Sequence, residues 1–158
     1  MSYNGQAPPL TSEETETILK ENTIARICTH NKDGTIHATA FNYAYMNGQI
    51  VIGSILSSRK TRNIKRNNNV TVLIDNEKAQ GILTYGKAKV EYDNVYQTAL
   101  SVWEKTIHAQ RDKVERLVKA YLDTVKYAII RITPQHIVTF DTTKDEIFNN
   151  LIKTYIKE

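Results

Sequence analysis

The sequence predicts a mainly β protein with helices, of the α+β class, and three observations predict it. Short apolar or alternating runs recur as strands, among them Ile24-Ala25-Arg26-Ile27-Cys28, Ile50-Val51-Ile52-Gly53-Ser54 and Val70-Thr71-Val72-Leu73-Ile74. Tight-turn signals, Asp33-Gly34 and Asn47-Gly48, join the early runs as hairpins. Apolar stripes at helical spacing interrupt the later ones. With 158 residues and 41% hydrophobic content, the chain suits one domain with a real core.

In chain order, residues 1–10 are polar with Gly5, Pro8 and Pro9, and read as a flexible N-terminal arm before a domain over 11–158. Thr11-Ser12-Glu13-Glu14 fits a capping box opening a helix that fades at Asn22. A strand from Thr23 to Thr29 and the Asp33-Gly34 turn follow, and the returning strand runs from Thr35 to Tyr45. Along it Ile36, Ala38, Ala40, Asn42 and Ala44 share one face, opposite His37, Thr39, Phe41, Tyr43 and Tyr45. The first set is small, which suits either close packing of a curved sheet or a flat ligand lying on it.

After the Asn47-Gly48 turn, the strand ending in Ser54 leads to Ser57-Ser58-Arg59-Lys60-Thr61-Arg62-Asn63-Ile64-Lys65-Arg66 and the strand Val70 to Ile74. A long strand spans Ile82 to Tyr92, with Gly86 marking a bulge or a close backbone approach. Asp93 is the expected cap of a helix carrying Val95, Leu100, Val102, Trp103 and Ile107. Val114, Leu117, Val118, Tyr121 and Leu122 stripe a second one, so residues 93–123 form a helical insertion. A strand from Lys126 to Ile132, a turn at Thr133-Pro134 and a strand from His136 to Phe140 follow. The end of the chain reads as an amphipathic helix that packs on the body or on a partner.

The segment from Ser57 to Arg66 carries the chemistry. Ser57 or Ser58 is a good N-cap, and the helix start offers unpaired N–H groups and a positive dipole end. Arg59 and Lys60 oppose that dipole unless an anion answers them. Asn63 lies three residues from Lys60 and four from Arg59, so the three converge on one face. This is a phosphate site, or else a solvated basic face that attracts nucleic acid.

Composition narrows the choice. A net charge of +4 with 17 acidic residues is too mild to announce a nucleic-acid protein and suits a small anionic ligand. The single Cys28, in an apolar strand, reads as a core thiol in a reducing compartment. No run approaches the length of a membrane span or a signal peptide, so a cytoplasmic protein is expected. His30, His37, His108 and His136 lack ligand spacing, so no metal site is expected. The glycine loops and nucleophile elbow of P-loop, Rossmann and hydrolase folds are missing as well.

The order of parts, Asp33 to Ala40, then Ser57 to Ile64, Asn69 to Ile74, Gly81 to Val90 and Ile132 to Ile137, resembles the pyridoxamine 5'-phosphate oxidase-like flavin-binding split barrels. The resemblance runs from Thr11 to about Asp141. It implies a six-stranded antiparallel split β-barrel with peripheral helices, forming a homodimer with FMN in a groove at the subunit interface. It assigns the phosphate to Ser57, Ser58, Arg59 and Lys60 with Asn63 in support, the isoalloxazine to the backbone of His37, Ala38 and Thr39, and a lesser contact to Ser54. The C-terminal arginine and histidine contacts of true pyridoxamine phosphate oxidases are not visible between Thr133 and Glu158. The expected function is therefore a flavin-dependent oxidoreductase acting on a substrate other than a B6 vitamer. F420 or haem as the cofactor, and a non-catalytic flavin carrier or sensor, are the alternatives, with nucleic-acid binding behind them.

Overall fold

The computed structural model describes residues 7–156. Ten elements build the body: α1 (Ser12–Glu21), β1 (Ile24–His30), β2 (Ile36–Met46), β3 (Gln49–Ile55), α2 (Arg59–Arg66), β4 (Asn69–Asp75), β5 (Gln80–Glu91), α3 (Val95–Thr106), α4 (Arg111–Thr124) and β6 (Tyr127–Asp141). A 3-10 turn (Thr142–Lys144) and α5 (Glu146–Tyr155) complete the chain. The six strands close into an antiparallel barrel in the order β1-β2-β3-β6-β5-β4.

Alternation fills the barrel. Ala25 and Ile27 of β1, Ile50 and Ile52 of β3, Val70, Val72 and Ile74 of β4, and Ile130 and Ile132 of β6 meet inside with Tyr43 and Ile82. A second core lies between the barrel and the helical insertion, where Ala99, Leu100, Val102, Val114 and Val118 pack on Ala44, Val51 and Ile129. Leu117, expected in the α4 stripe, is instead exposed.

The barrel is split on one side. β2 pairs with β1 from Ile24↔Asn42 to His30↔Ile36, but with β3 only from Tyr43↔Ile52 to Met46↔Gln49. Beyond Tyr43 the two strands part, and β3 continues along β6 to Ile55↔Tyr127. Between Ile36 and Asn42, β2 therefore keeps an open edge.

Three expectations change. Thr133-Pro134 is not a turn between two strands, because β6 runs through it: Pro134 pairs with Gly86, where the register shifts, and a Cβ on Gly86 would lie 2.4 Å from the Thr133 carbonyl. Proline fits here because a bulge relieves it of a ladder hydrogen bond. Asp93 does not cap α3; Asn94 precedes the helix in the left-handed region, φ 52°, without a side-chain cap. Part of the expected arm is docked, since Pro8 O accepts the Asp141 N–H at 2.7 Å and Leu10 is buried; residues 1–6 of it lie outside the described residues. The Thr11–Glu14 capping box of α1 forms as expected. α5 buries none of its side chains and leaves Ile147, Phe148 and Leu151 exposed. No helix among the described residues is long and apolar enough to cross a membrane.

Asp141 ties the end of the barrel together. Its buried carboxylate accepts hydrogen bonds from Gln80 Nε2 at 2.9 Å and from the Thr143 N–H and hydroxyl, and Lys144 joins it to Glu14 of α1. Burial raises the carboxyl pKa and the hydrogen bonds from Thr143 and Gln80 lower it, leaving it below the ordinary 3.8. A lowered pKa means that this contribution to stability is present above the unfolded value and is lost as pH falls through the folded one. Asp141→Ala is expected to destabilise the fold by about 1–3 kcal/mol at neutral pH. Asp141→Asn is expected to flatten the loss of stability below pH 3.8, read by denaturant melts across acid pH.

Candidate functional site

β3 delivers the chain to α2 through a tight turn, in which the Ser58 N–H donates to Ile55 O at 3.0 Å and the Leu56 N–H to Lys126 O at 2.8 Å. Ser58, rather than Ser57, is the N-cap, its hydroxyl accepting the Thr61 N–H at 3.3 Å. Ser54, Ser58 and Thr61 form a triangle of hydroxyls with every side 2.9 Å. The Thr61 hydroxyl also reaches Ile55 O at 3.2 Å. With Ser54 also within 3.4 Å of Ile55 O, three hydroxyl protons are shared among more contacts than they can serve at once, so the cluster's hydrogen-bond pattern is not fixed by the protein alone. Thr61 was missed in the sequence; its signal is the Ser-x-x-Thr spacing, which returns the second hydroxyl to the cap.

Asn63 serves the fold instead. Its amide donates to Thr29 Oγ1 at 3.1 Å and Asn31 Oδ1 at 2.9 Å and accepts from Arg66 at 3.0 Å, fastening α2 to β1. It is buried, and these contacts commit its amide to the fold. The Arg62 guanidinium donates to Ser57 O at 2.7 Å and steadies the turn.

Arg59 is exposed and Lys60 is half-buried, with burial pushing the Lys60 ammonium pKa down. Among the described residues neither forms a salt bridge. Asp33 has its carboxyl lowered chiefly by hydrogen bonds from Thr35, with the field of Arg59 adding to them. The result is a helix start with two cations, free first-turn N–H groups on Arg59 and Lys60, and a hydroxyl cluster beside them. That set suits a phosphate monoester, with the cap and the N–H groups taking oxygens and the cations balancing charge.

The predicted trio on β2 divides. His37 and Thr39 share the inward face with Phe41 and Tyr43, whereas Ala38 and Ala40 lie on the exposed outer face. The Tyr43 N–H bonds toward the β1 side, to Thr23 O. By alternation along an antiparallel strand, Ala38 and Ala40 then turn their N–H and C=O groups to the open edge. This outer strip leads to Asn42, which together with Gly53, Trp103, Thr106 and Tyr127 lines a hollow of about 260 Å³ where α3 crosses the split. Gly53 leaves room for the Tyr127 ring, since a Cβ there would lie 2.1 Å from the Tyr127 hydroxyl and the ring would have to shift.

The profile of the pyridoxamine 5'-phosphate oxidase family matches residues 11–141. No curated protein matches. Among solved structures, a conserved hypothetical protein from Mycobacterium tuberculosis is similar at TM-score 0.76 and 20% identity, covering 90% of this chain and 91% of its own. A FAD-binding protein from Mesorhizobium loti is similar at 0.62 and 15%, covering 84% and 96%. The haem storage protein of Vibrio cholerae is similar at 0.65 and 14%, covering 84% and 97%. At these identities the likeness is one of fold.

Ser58→Ala is expected to cost about 1 kcal/mol through the lost cap, whereas Ser57→Ala stays within about 0.5 kcal/mol. Urea melts of the two variants in the absence of ligand make the comparison.

Proposed function

Because the chain belongs to the pyridoxamine 5'-phosphate oxidase family, we propose that it binds FMN and acts as a flavin-dependent oxidoreductase, with the cofactor at the interface of a homodimer. The observation that carries this reading is the pairing of two features on adjacent strands: the anion cradle at the start of α2, entered from β3, and the open, small-residue edge of β2. Together they fit a ligand with a phosphate at one end and a flat hydrogen-bonding ring at the other.

In this reading Ser58, Arg59 and Lys60 hold the phosphate, with Ser57 at the rim and Ser54 and Thr61 orienting the Ser58 hydroxyl. The Ala38 and Ala40 backbone groups meet the edge of the ring, and their small side chains let it lie against the sheet. His37 and Thr39 shape β2 from inside the barrel. The bound flavin supplies hydride acceptance and donation. The protein's task is then to orient the ring, exclude water from one face and leave the other to a substrate, which requires no dedicated acid or base.

The outer barrel face supports the dimer. Cross-strand registers align Ala40, Arg26, Leu73, Leu83 and Val138 in one band and Ala38, Cys28, Thr71, Tyr85 and His136 in the next. Ile24, Tyr85 and Val138 stand exposed on it. This face mixes exposed apolar side chains with the Arg26–Asp75 ion pair, and a second copy laid on it would also close the groove over β2. Oxidation of a B6 vitamer is not part of this proposal, because the C-terminal arginine and histidine contacts of true pyridoxamine phosphate oxidases are not visible in Thr133–Glu158. The free thiol of Cys28 is in keeping with a cytoplasmic setting.

The visible spectrum of the purified protein, followed by titration of the stripped protein with FMN, F420 and haem, tests the cofactor. Flavin bands or micromolar FMN binding are expected, and preference for F420 or haem overturns the assignment. Lys60→Ala and Arg59→Ala should each weaken FMN by about 1.5–3 kcal/mol while leaving riboflavin nearly unchanged. Equal losses for both ligands would remove the phosphate from α2. Val138→Glu is expected to yield a monomer in sedimentation, with FMN affinity falling alongside.

A further inference from the structure

The hollow of about 260 Å³ where α3 crosses the split has no charged side chain among its lining residues. Trp103 and Tyr127 wall it with Ile107, Gly53 leaves it open toward β3, and polar side chains enter only through Asn42, exposed on β2, and Thr106. Tyr121 of α4 buttresses both walls. Its ring centre lies 5.2 Å from that of Trp103, tilted by 56°, and 5.6 Å from that of Tyr127, edge-on at 89°. Lys105, the neighbour of Thr106, turns elsewhere: its Nζ lies 4.4 Å from the centre of the Tyr43 ring, which belongs to the barrel core.

Each feature limits the occupant. Walls without charge disfavour an ion, which would lose its hydration and gain no partner. A cavity of about 150 Å³ accepts benzene, so this one suits a single ring or two fused rings. Trp103 and Tyr127 favour a flat aromatic body between them. The Thr106 hydroxyl donates to Trp103 O at 3.3 Å or Val102 O at 3.4 Å, whereas the Asn42 amide brings N–H donors that suit a carbonyl oxygen. Asn42 lies two residues beyond Ala40 on the same face of β2, a step of about 7 Å along a strand. An occupant of the hollow therefore abuts a ring laid along Ala38 and Ala40.

We infer that the hollow is the substrate site, taking an uncharged aromatic carbonyl compound of one or two rings between Trp103 and Tyr127 with its oxygen toward Asn42. The role of substrate rests on the flavin reading and names the chemical class that this reading leaves open. For a quinone the exchange balances with one hydride from the reduced, anionic flavin and one proton from water, giving the hydroquinone and the oxidised flavin.

Trp103 is the single tryptophan of the chain and reports on the hollow directly. Duroquinone, whose fully substituted ring does not add the Cys28 thiol, is titrated into the full chain stripped of cofactor. Tryptophan fluorescence should fall along a saturable curve, and binding should be about tenfold or more weaker in Thr106→Phe, which fills the hollow with a ring of its own. Asn42→Phe gives the same reading if T106F does not fold. Equilibrium dialysis with FMN-loaded protein should show the quinone bound nearly as well. Reoxidation of the anaerobically reduced, FMN-loaded protein should saturate with duroquinone and slow in T106F at low quinone. Quenching that rises without saturation, or equal affinity in the filled variant, overturns the site. Exclusion of duroquinone by FMN means that the hollow seats the flavin itself, and overturns the substrate role. If FMN does not bind while the quinone does, the flavin reading fails and the substrate role with it, leaving a site for an aromatic ligand alone.

Discussion

β6 pairs with β3 through its first half and with β5 along nearly its whole length, and the close contact between Gly86 and Thr133-Pro134 makes this possible. A side chain at position 86 would collide with the Thr133 carbonyl, and a straight strand would need the N–H that proline lacks. The register shift accommodates both, bends β6 around the barrel and lets one strand close it. Since β3 has β6 as a partner, it can leave β2 at Tyr43. The open edge, the hollow and the approach to α2 all follow from that parting.

α2 is locally at odds with itself. Its first turn carries Arg59 and Lys60 where the dipole prefers acids, and no acidic side chain lies in that turn. What holds it is fastening elsewhere: the Ser58 cap, Asn63 bonded to β1, Arg66 bonded to His30 O, and Ile64 buried in the barrel core. The repulsion is thus carried by a helix fastened at other points, and an anion at its start would relieve it. Lys105 repeats the pattern inside the protein, a cation that the surrounding fold positions without satisfying.

Much of this was legible in the sequence, and the reason is local. The capping box at Thr11, the hairpin glycines and the strand alternation depend on neighbours a few residues away, as does the cluster of cations after Ser57 and Ser58. The exceptions depend on distant partners. Thr133-Pro134 looks like a turn until Gly86 is placed opposite it. The tie of Asn63 to Thr29 and Asn31 of the preceding hairpin is likewise invisible until the strands are placed. The face of β2 presented to solvent is evident from alternation, but the edge left open is not, because that depends on where β3 departs. Lys105 carries no local signal, being one lysine in an amphipathic helix whose Nζ is buried beside the Tyr43 ring of a distant strand.

The adjacency of β3 and β6 also governs how the chain reaches this state. The Ile50↔Ile132 pair joins residues separated by β4, β5 and the whole helical insertion. Such contacts form late, because the loop must close before the pairing rewards it. During synthesis β1, β2 and β3 can associate early as a meander, but β3 waits with a bare edge until β6 emerges from the ribosome. For that interval Ile50, Val51 and Ile52 form an apolar strand without a neighbour on one side, a segment open to self-association before folding is complete.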